Sequence, residues 1–283
     1  MNRSVLALLS TTLLYASAVA AQEHSDLSKI DETNRLGRML YAYDQAAWHG
    51  TDAVMSLLQA DGERVQERVQ GYVAEPEGSG WRVSFGRLSA DSSAFAVAYE
   101  ARLDSVYAMV GAQSHPEPID RTGFPLDAAR ALAAVAPRFS PPEMVRYNTA
   151  VLPAPGGRVY VYHLPAQPAV GMYYVGGDVR YTYDPVTHDV IDEKPLHQTL
   201  FTFDLRDHPD AITMSSAVLT DGPTETDVFY ALSRPSRPEE EGASHYVTTD
   251  EEVFLLNHSG IILSMSKEAW ERMSRELENR RNP

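Results

Sequence analysis

Three histidines stand among acidic residues within one short segment, residues 178–208, which reads DVRYTYDPVTHDVIDEKPLHQTLFTFDLRDH. Imidazole and carboxylate groups in such numbers could bind a metal ion or perform acid–base chemistry. Alternating Val, Tyr and Phe side chains predict extended strands, so His188 and His197 lie roughly 30 Å apart at about 3.3 Å per residue. His208 lies about as far from His197 again. Since zinc ligands lie at about 2.0–2.3 Å from the ion, we predict no metal site and favour a solvated hairpin.

The hairpin interpretation also accounts for the acidic residues of the segment. The turn DPVTHD, residues 184–189, joins two strands because Asp and Pro both suit turn positions. In either plausible register Arg180 lies opposite Glu193 or Asp192, which would give an exposed cross-strand ion pair. The opposite, apolar face holds alternate side chains of the first strand: Val179, Tyr181 and Tyr183.

The most suggestive short cluster elsewhere is WHGTD at residues 48–52. One interpretation places Trp48, His49 and Asp52 at the mouth of a pocket, where the imidazole can exchange protons near neutral pH. The other, which we favour, is structural. In it, Gly50 ends a helix in the left-handed conformation, Thr51 or Asp52 caps a second short helix, AVMSLLQ, and Trp48 packs on the core.

Other sequence patterns give no support to well-defined active sites. The chain has no HExxH zinc motif, no D-x-D-x-D-G calcium loop, no G-x-S-x-G elbow, and neither G-x-G-x-x-G nor a Walker A loop. Residues 264–267 match S-x-x-K, but the S-D-N and K-T-G partners that give this pattern meaning are missing. Met172, Met214 and Met265 could suggest a copper site, yet Met on strands more often fills a core. We therefore predict no catalytic, cofactor-binding or metal-binding residue, and no cofactor.

The first stretch of the chain, MNRSVLALLSTTLLYASAVAAQEH, has the three-part layout of a secretory signal peptide. Arg3 provides the positive start, an apolar run extends from Val5 to Ala16, and small residues precede Gln22. A retained membrane anchor is the alternative, but a bilayer-spanning helix needs about 20 apolar residues, and this run is shorter. We expect residues 1–21 to be removed and the remaining chain to be soluble, and periplasmic or secreted.

Composition narrows the function classes further. The chain has no cysteine, which excludes disulfides, a Cys nucleophile and thiolate metal sites. Its formal net charge is −15, and removal of residues 1–21 makes it one unit more negative. Such a surface repels phosphate backbones, so we expect no nucleic-acid partner. No basic cluster would hold the chain on an anionic membrane, and we expect no membrane insertion after the signal peptide is removed.

Hydrophobic periodicity predicts an α+β fold in which antiparallel β-meanders carry helices packed on one face and a C-terminal helix ends the chain. Residues 22–110 form a first subdomain, with a helix over 26–47 and three strands in VQGYVAE, GWRVSFGRL and AFAVAYEARL. The Gly- and Pro-containing segment 111–123 is predicted as a linker. A second subdomain, residues 124–283, begins with a helix and continues as a larger antiparallel sheet.

In the second subdomain, the sequence predicts strands at 144–152, 158–164, 172–183, 189–194, 198–205, 212–219 and 227–233. A final hairpin follows in SHYVTT and EVFLLNHSGIILSM, with a turn at Asn257–Gly260. The last helix, SKEAWERMSRELENRR, begins after the capping residue Ser266. The polar stretch RPSRPEEEGAS between these elements is predicted as a mobile loop.

Several stretches resemble signal-peptide-bearing exported proteins of Gram-negative bacteria: AYDQAAWHGTDAV, GWRVSFGRL, YVGGDVRYTYD, TETDVFYAL and the closing hairpin. The resemblance covers most of the mature chain. It implies export, and since no activity is associated with these proteins it assigns no catalytic residue. The layout also resembles small periplasmic α+β modules that bind peptides or inhibit enzymes, an analogy of fold alone.

Two hypotheses of function follow. The first, which we favour, is a non-catalytic exported protein that binds a protein or small-molecule partner in the cell envelope. The second is a periplasmic hydrolase whose acid–base residues come from distant segments, with His49, Asp52, His163 and Asp178 as candidates. A nucleophile–base pair converging inside a deep pocket would favour the second.

Overall fold

The computed structural model describes residues 3–209, 211–234 and 244–281, with side chains from residue 28 onward except those of residues 262 and 277–281. Within these ranges five helices and fourteen strands confirm the predicted α+β fold with antiparallel sheets and a C-terminal helix. The helices are α1 (Arg3–Asp61), α2 (Arg64–Arg68), α3 (Phe124–Val135), α4 (Glu225–Ser233) and α5 (Lys267–Arg281). In the part of the chain that is described, no helix is long and apolar enough to cross a bilayer. The expected signal peptide, residues 1–21, lies outside the described side chains and stays a prediction.

The first sheet is an antiparallel meander in the order β1-β2-β3-β4. Its strands are β1 (Gly71–Glu77), β2 (Gly80–Leu88), β3 (Phe95–Leu103) and β4 (Met109–Arg121). The first three confirm the predicted meander. The linker predicted at 111–123 is wrong, because most of this segment is β4, which pairs with β3 on either side of an irregular stretch. That stretch contains Pro116 and Pro118, which are tolerated because β4 is an edge strand and the prolines fall where the pairing is interrupted.

Helix α1 covers the first sheet and is continuous through residues 48–52, so the predicted break and second capped helix are wrong. Gly50 does not end the helix: a Cβ there would lie 2.6 Å from Cγ2 of Val83, and glycine instead allows the helix to approach the sheet closely. The Thr51 hydroxyl donates to the carbonyl oxygen of Ala47 at 2.7 Å, a bond within the helix and not an N-cap. The buried side of α1 includes Leu36, Leu40, Tyr43, Ala47 and Val54.

Six further strands follow α3: β5 (Tyr147–Ala154), β6 (Arg158–Pro165), β7 (Met172–Gly176), β8 (Val179–Asp184), β9 (Asp189–Pro195) and β10 (Leu200–Asp204). Four of them form an antiparallel sheet in the order β5-β6-β8-β9. One cluster of buried side chains contains Leu40 and Val97 from the first predicted subdomain, and Val161 and Tyr181 from the second. The two predicted subdomains therefore share one hydrophobic core.

The strand predicted over 172–183 divides into β7 and β8 at two glycines. Gly176 and Gly177 both lie in the left-handed region, with φ of 84° and 70°. A Cβ on Gly176 would collide with the carbonyl oxygen of Thr199, so only glycine fits there. At this point β7 leaves the sheet to pair with β10, while β8 continues beside β6. The bend places Asp178 between the pair of β7 with β10 and the pair of β8 with β6.

The last sheet contains β11 (Thr213–Ser216), β12 (His245–Thr248), β13 (Glu252–Asn257) and β14 (Gly260–Ser266). The closing hairpin and the helix after Ser266 are confirmed, although β11 pairs with β12 in parallel. The strand predicted over 227–233 is wrong, because these residues belong to α4, which begins with a capping box at Thr224. Residues 235–243 of the predicted mobile loop lie outside the described residues.

Candidate functional site

The structure separates the three histidines of residues 178–208, but it does not leave all three in solvent. His188 is exposed in the turn between β8 and β9, and His208 is exposed beyond β10. His197 follows β9, and its side chain is only 8% exposed. The predicted hairpin of β8 and β9 is confirmed, whereas the prediction that His197 is a solvated part of it is wrong.

His197 lies between two carboxylates. Its Nδ1 is 2.7 Å from Oδ1 of Asp178, and its Nε2 is 3.1 Å from Oδ1 of Asp227. Both carboxylates are buried. The contact with Asp178 is a consequence of the hairpin, since the antiparallel pairing of β8 with β9 places residue 178 beside residues 196 and 197. Distances counted along a single strand could not detect this pair.

A second ion pair, partly buried, joins β8 to α4. The predicted cross-strand pair of Arg180 with Glu193 or Asp192 is wrong, because a β-bulge shifts the register by one residue and Lys194 lies opposite. The Arg180 guanidinium instead donates to Oε1 of Glu225 at 2.6 Å, and its side chain is 15% exposed. The first turn of α4 is therefore fixed to the second sheet by charged groups.

Asp227 connects His197 to the start of α4 and to the last sheet. Its Oδ2 accepts from the backbone N–H of Thr224 at 2.8 Å, which completes the capping box. Its Oδ1 accepts from the Ser215 hydroxyl at 3.4 Å and lies 3.8 Å from Nε2 of His245. Two imidazole rings thus converge on one carboxylate that is closed to solvent.

Ser215 and His245 resemble a nucleophile–base pair, but their surroundings differ from those of a serine hydrolase. Oγ of Ser215 lies 3.0 Å from Nε2 of His245, and Nδ1 lies 2.8 Å from Oγ1 of Thr213. In a Ser-His-Asp triad the carboxylate accepts from Nδ1, whereas here Asp227 lies on the Nε2 side. His245 is fully buried and Ser215 is 6% exposed. The pair is thus a structural hydrogen-bond network with no access for a substrate.

The charge of His197 follows from its two partners. Burial alone would lower the pKa of His197, but the charges and hydrogen bonds of Asp227 and Asp178 outweigh burial and raise the pKa to about 11. Burial likewise disfavours ionised Asp227, yet the charge and hydrogen bond of His197 lower the pKa of this carboxyl below its usual value. His197 is therefore an imidazolium at neutral pH that holds its proton too tightly for acid–base exchange.

His197 also lines a cleft of about 620 Å³, which we call the polar cleft. Side chains of α1, β1, β7 and α4 form most of its walls. The cleft extends from an exposed mouth, where Trp48 is 58% exposed, to His197. Its aromatic residues are Trp48, Tyr72, Tyr173, Tyr174, Phe229 and Tyr230. The group of His197, Asp178, Asp227, Ser215 and His245 is called the cluster below.

Asp44 is the carboxylate of the polar cleft. Burial raises the pKa of Asp44 to about 6, and a hydrogen bond with Gln45 opposes this in part. Burial, with a smaller contribution from the charge of Asp44, raises the pKa of Tyr72 to about 12. The residues that line the cleft, all in the described part of the chain, include no Lys or Arg and no second carboxylate. The cleft therefore gains one negative charge as the pH rises through about 6.

Of the four residues considered for acid–base chemistry, only Asp178 belongs to this arrangement. His49 stacks on Trp48 with ring centroids 4.9 Å apart, and Asp52 is exposed on the next turn of α1. His163 is buried on β6, and burial lowers its pKa to about 4. The four side chains do not converge on one point, so this set does not form a catalytic group.

One sequence signal could have identified Asp227, the partner of His197 that the sequence analysis does not predict. Residues 224–227, Thr-Glu-Thr-Asp, match a capping box with Asp in place of Glu, and a helix starting there places Asp227 in its first turn. The alternation in TDVFYAL instead suggested a strand. No local pattern identifies Asp44 or His245, because their contacts join segments far apart in the chain.

The hydrogen bonds of the cluster leave no nitrogen free for a metal ion. Both ring nitrogens of His197 and both of His245 already have protein partners, whereas a histidine ligand needs a free lone pair. Across the described residues, no group of three His, Asp or Glu side chains is arranged to hold a metal.

Comparisons with known proteins give no match: no protein family, no curated protein and no solved structure is similar enough to this chain. The resemblance to exported proteins of Gram-negative bacteria therefore stays a prediction. The inference of function depends on the geometry and charge of the polar cleft.

Proposed function

We propose that this chain is an exported, soluble, non-catalytic protein that binds a small organic molecule, neutral or positively charged, in the polar cleft. The observation that most supports the proposal is the lining of the cleft, whose described residues combine aromatic rings with Asp44 and include no Lys or Arg. The volume of about 620 Å³ falls within the range of about 300–1,000 Å³ typical of small-molecule sites.

The charge of the ligand follows from the groups around the cleft. An anionic ligand would meet ionised Asp44, with no cationic side chain on the lining free to pair with it. His197 does not supply that cation, because Asp178 and Asp227 already accept both of its N–H groups. A cationic ligand instead gains an ion pair with Asp44, and aromatic faces such as those of Trp48 and Tyr174 attract cations as well.

Two features support binding without catalysis. The imidazolium of His197 keeps its proton at neutral pH, since its pKa is raised to about 11, so it cannot act as a general base. The Ser215–His245 pair is buried behind Asp227 and lines no part of the polar cleft.

Export is proposed from the sequence of residues 1–21. The expected result is a chain recovered from the periplasm or the medium that begins just after Ala20 or Ala21, as read by intact-mass measurement. A chain that stays in the cytosol with its first 21 residues intact would contradict export without affecting the binding proposal.

The alternative is a periplasmic hydrolase, and one observation favours it. The pKa of Asp44, raised by burial to about 6, is suited to a general acid or base near neutral pH. Turnover of an ester probe such as 4-nitrophenyl acetate that Asp44→Asn abolishes would support this alternative. Hydrolysis at equal rates in the wild type and in Asp44→Asn would not support it.

Binding is tested with three probes of similar shape and different charge: tyramine (cation), tyrosol (neutral) and 4-hydroxyphenylacetate (anion). Titration calorimetry at about pH 7.5 is expected to rank tyramine first and the anion last, with a difference of tenfold or more because a hydrogen bond to a charged group contributes about 1.5–3 kcal/mol. Tightest binding of the anion, or no binding of any probe at millimolar concentration, would contradict the proposal.

A matched pair of variants assigns the effect to the cleft. Asp44→Asn removes the charge inside the cleft, whereas Asp52→Asn removes an exposed charge from the same helix outside it. We expect Asp44→Asn to weaken tyramine binding about tenfold and Asp52→Asn to leave it unchanged. In the wild-type chain tyramine binding should strengthen as the pH rises through about 6, since Asp44 ionises there.

A further inference from the structure

A second cavity, which we call the apolar pocket, shares no lining residue with the polar cleft. It has a volume of about 520 Å³ and lies between α1, the first sheet, α3 and β5. Its walls are mainly apolar side chains, among them Met39, Ala42, Trp81, Phe124, Val151 and Leu152. Water in such a space has few hydrogen-bond partners, so an apolar ligand group would displace it favourably.

The rim of the apolar pocket contains a guanidinium with donors to spare. Arg38 is exposed and donates one N–H to the carbonyl oxygen of Ser259 at 2.6 Å. No ion pair among the described residues includes Arg38, whereas Arg35 on the same rim is already paired with Glu32 at 2.7 Å. Asp31 is also on the rim, and solvent screens its charge as it screens that of Arg38, since both side chains are exposed. Arg38 differs in offering N–H donors to a carboxylate.

The lining also contains a buried hydroxyl that is not satisfied. The Tyr43 side chain is 1% exposed, and its hydroxyl makes no hydrogen bond of ordinary geometry, although the backbones of Ala74 and Val151 are close by. Burial is the main cause that raises the pKa of Tyr43 well above its usual value, so the hydroxyl adds no negative charge to the pocket. The pocket therefore combines an apolar interior with a cation at the entrance.

We propose that the apolar pocket binds an aliphatic carboxylate such as a medium-chain fatty acid, with the chain inside and the carboxylate on Arg38. An alkyl chain replaces water against the apolar walls, and a guanidinium matches a carboxylate through parallel N–H donors. The polar cleft selects against anions, whereas this rim selects for them. The proposal is independent of the function proposed for the polar cleft.

The test uses two surfactant ions with the same chain and opposite charge. Dodecanoate and dodecyltrimethylammonium are titrated into the full chain, each below its micelle concentration. Calorimetry is combined with tryptophan fluorescence, and the signal of Trp81, which lines the pocket, is isolated in a variant with Trp48 and Trp270 replaced by Phe. We expect saturable 1:1 binding of dodecanoate, at least tenfold tighter than that of the cation. Because the cation can also enter the polar cleft at Asp44, both titrations are repeated in the Asp44→Asn variant. Equal binding of both ions in that variant would indicate adsorption to apolar surface and would overturn the proposal.

Three variants locate the site. Ala42→Phe fills the pocket and should weaken dodecanoate binding at least tenfold, while Arg38→Gln, at an exposed position that tolerates the change, should weaken it about fivefold and spare dodecyltrimethylammonium. Asp52→Asn is the control and should bind dodecanoate as wild type does. Unchanged dodecanoate binding in both Ala42→Phe and Arg38→Gln would overturn the proposal. The proposal would also be overturned if the chain binds no dodecanoate and forms a dimer that Ala42→Phe dissociates. A second copy of the chain would then cover the pocket.

Discussion

The imidazolium of His197 should make the folded chain lose stability as the solution becomes alkaline. In the folded chain its pKa is raised to about 11 by Asp227 and Asp178, against the effect of burial. In the unfolded chain it returns to about 6.5. A group with a raised folded pKa contributes stability that is fully present below the unfolded pKa and is lost as the pH rises toward the folded pKa. The affected window therefore lies between about pH 6.5 and about pH 11.

The size of the effect follows from the number of protons involved. Between about pH 7.5 and about pH 9.5 the folded chain holds one proton on His197 that the unfolded chain has released. The free energy of unfolding should then fall by about 1.4 kcal/mol per pH unit, or about 2–3 kcal/mol over the window. His163, with its pKa lowered by burial to about 4, and Asp44, with its pKa raised by burial to about 6, titrate below this range. Burial raises the pKa of several tyrosines, among them Tyr43 and Tyr162, and unfolded tyrosine ionises at about 10. These tyrosines add to the loss only toward about pH 9.5, so the slope that belongs to His197 is the one between about pH 7.5 and about pH 8.5.

The perturbation that tests this origin is Asp227→Asn. It removes the largest contribution that raises the pKa of His197, so the alkaline slope should become shallower. Breaking a buried ion pair by removing one partner typically costs about 3–5 kcal/mol, and we expect a loss of that order near neutral pH. Asp204→Asn, which breaks an exposed pair with Arg206, is the control and should keep the wild-type slope.

Urea denaturation followed by circular dichroism at about pH 7.5, about pH 8.5 and about pH 9.5 measures the slopes directly. A wild-type unfolding free energy that stays constant across this range would refute the assigned charge of His197. An unchanged slope in the Asp227→Asn variant would refute the assignment of the raised pKa of His197 to Asp227.

Three further predictions concern packing, burial and capping, and each is read from urea midpoints. Gly37→Ala should destabilise the fold by about 1–3 kcal/mol through overpacking, because the new Cβ would lie 2.5 Å from Cβ of Val228. Ala is the better helix former, so a gain in stability would contradict this close approach. His163→Phe should reduce the loss of stability that the wild type shows as the pH falls from about 6.5 to about 4, since burial lowers the pKa of His163 to about 4; the same acid slope in both proteins would count against it. Thr224→Ala should cost about 1 kcal/mol by removing the N-cap of α4, and no change would show that the cap is not needed.

Local periodicity predicted the elements that depend on local patterns. The meander of β1 to β3, the hairpin of β8 and β9 and the closing hairpin all follow from alternating side chains and turn residues. Local patterns gave a wrong prediction where a glycine or a capping residue serves contacts with distant parts of the chain. The local pattern predicts a helix end at Gly50, whereas glycine is needed there for close packing against Val83. Strand-like alternation over residues 227–233 conceals the capping box at Thr224.

The candidate site was predictable only in part. The hairpin turn itself implies that Asp178 and His197 meet, since the residues flanking two paired strands lie side by side. Asp227 reaches His197 from a segment 30 residues further along the chain, and His245, which lies 48 residues beyond His197, joins them only through Asp227. No spacing rule connects these residues. Asp44 acquires its raised pKa from burial in the folded chain, a property that its neighbours in the sequence do not reveal.

The charge state of His197 can be measured most directly by NMR of the chain labelled with ¹³C and ¹⁵N at histidine. Because an imidazolium that keeps its proton cannot act as a general base, we expect ring signals of His197 that stay those of the doubly protonated form from about pH 5 to about pH 9. We also expect His197 to titrate at a lower pH in the Asp227→Asn variant than in wild type. A His197 signal in the wild-type chain that titrates with a midpoint near the ordinary value of about 6.5 would contradict the assigned charge and restore His197 as a candidate general base.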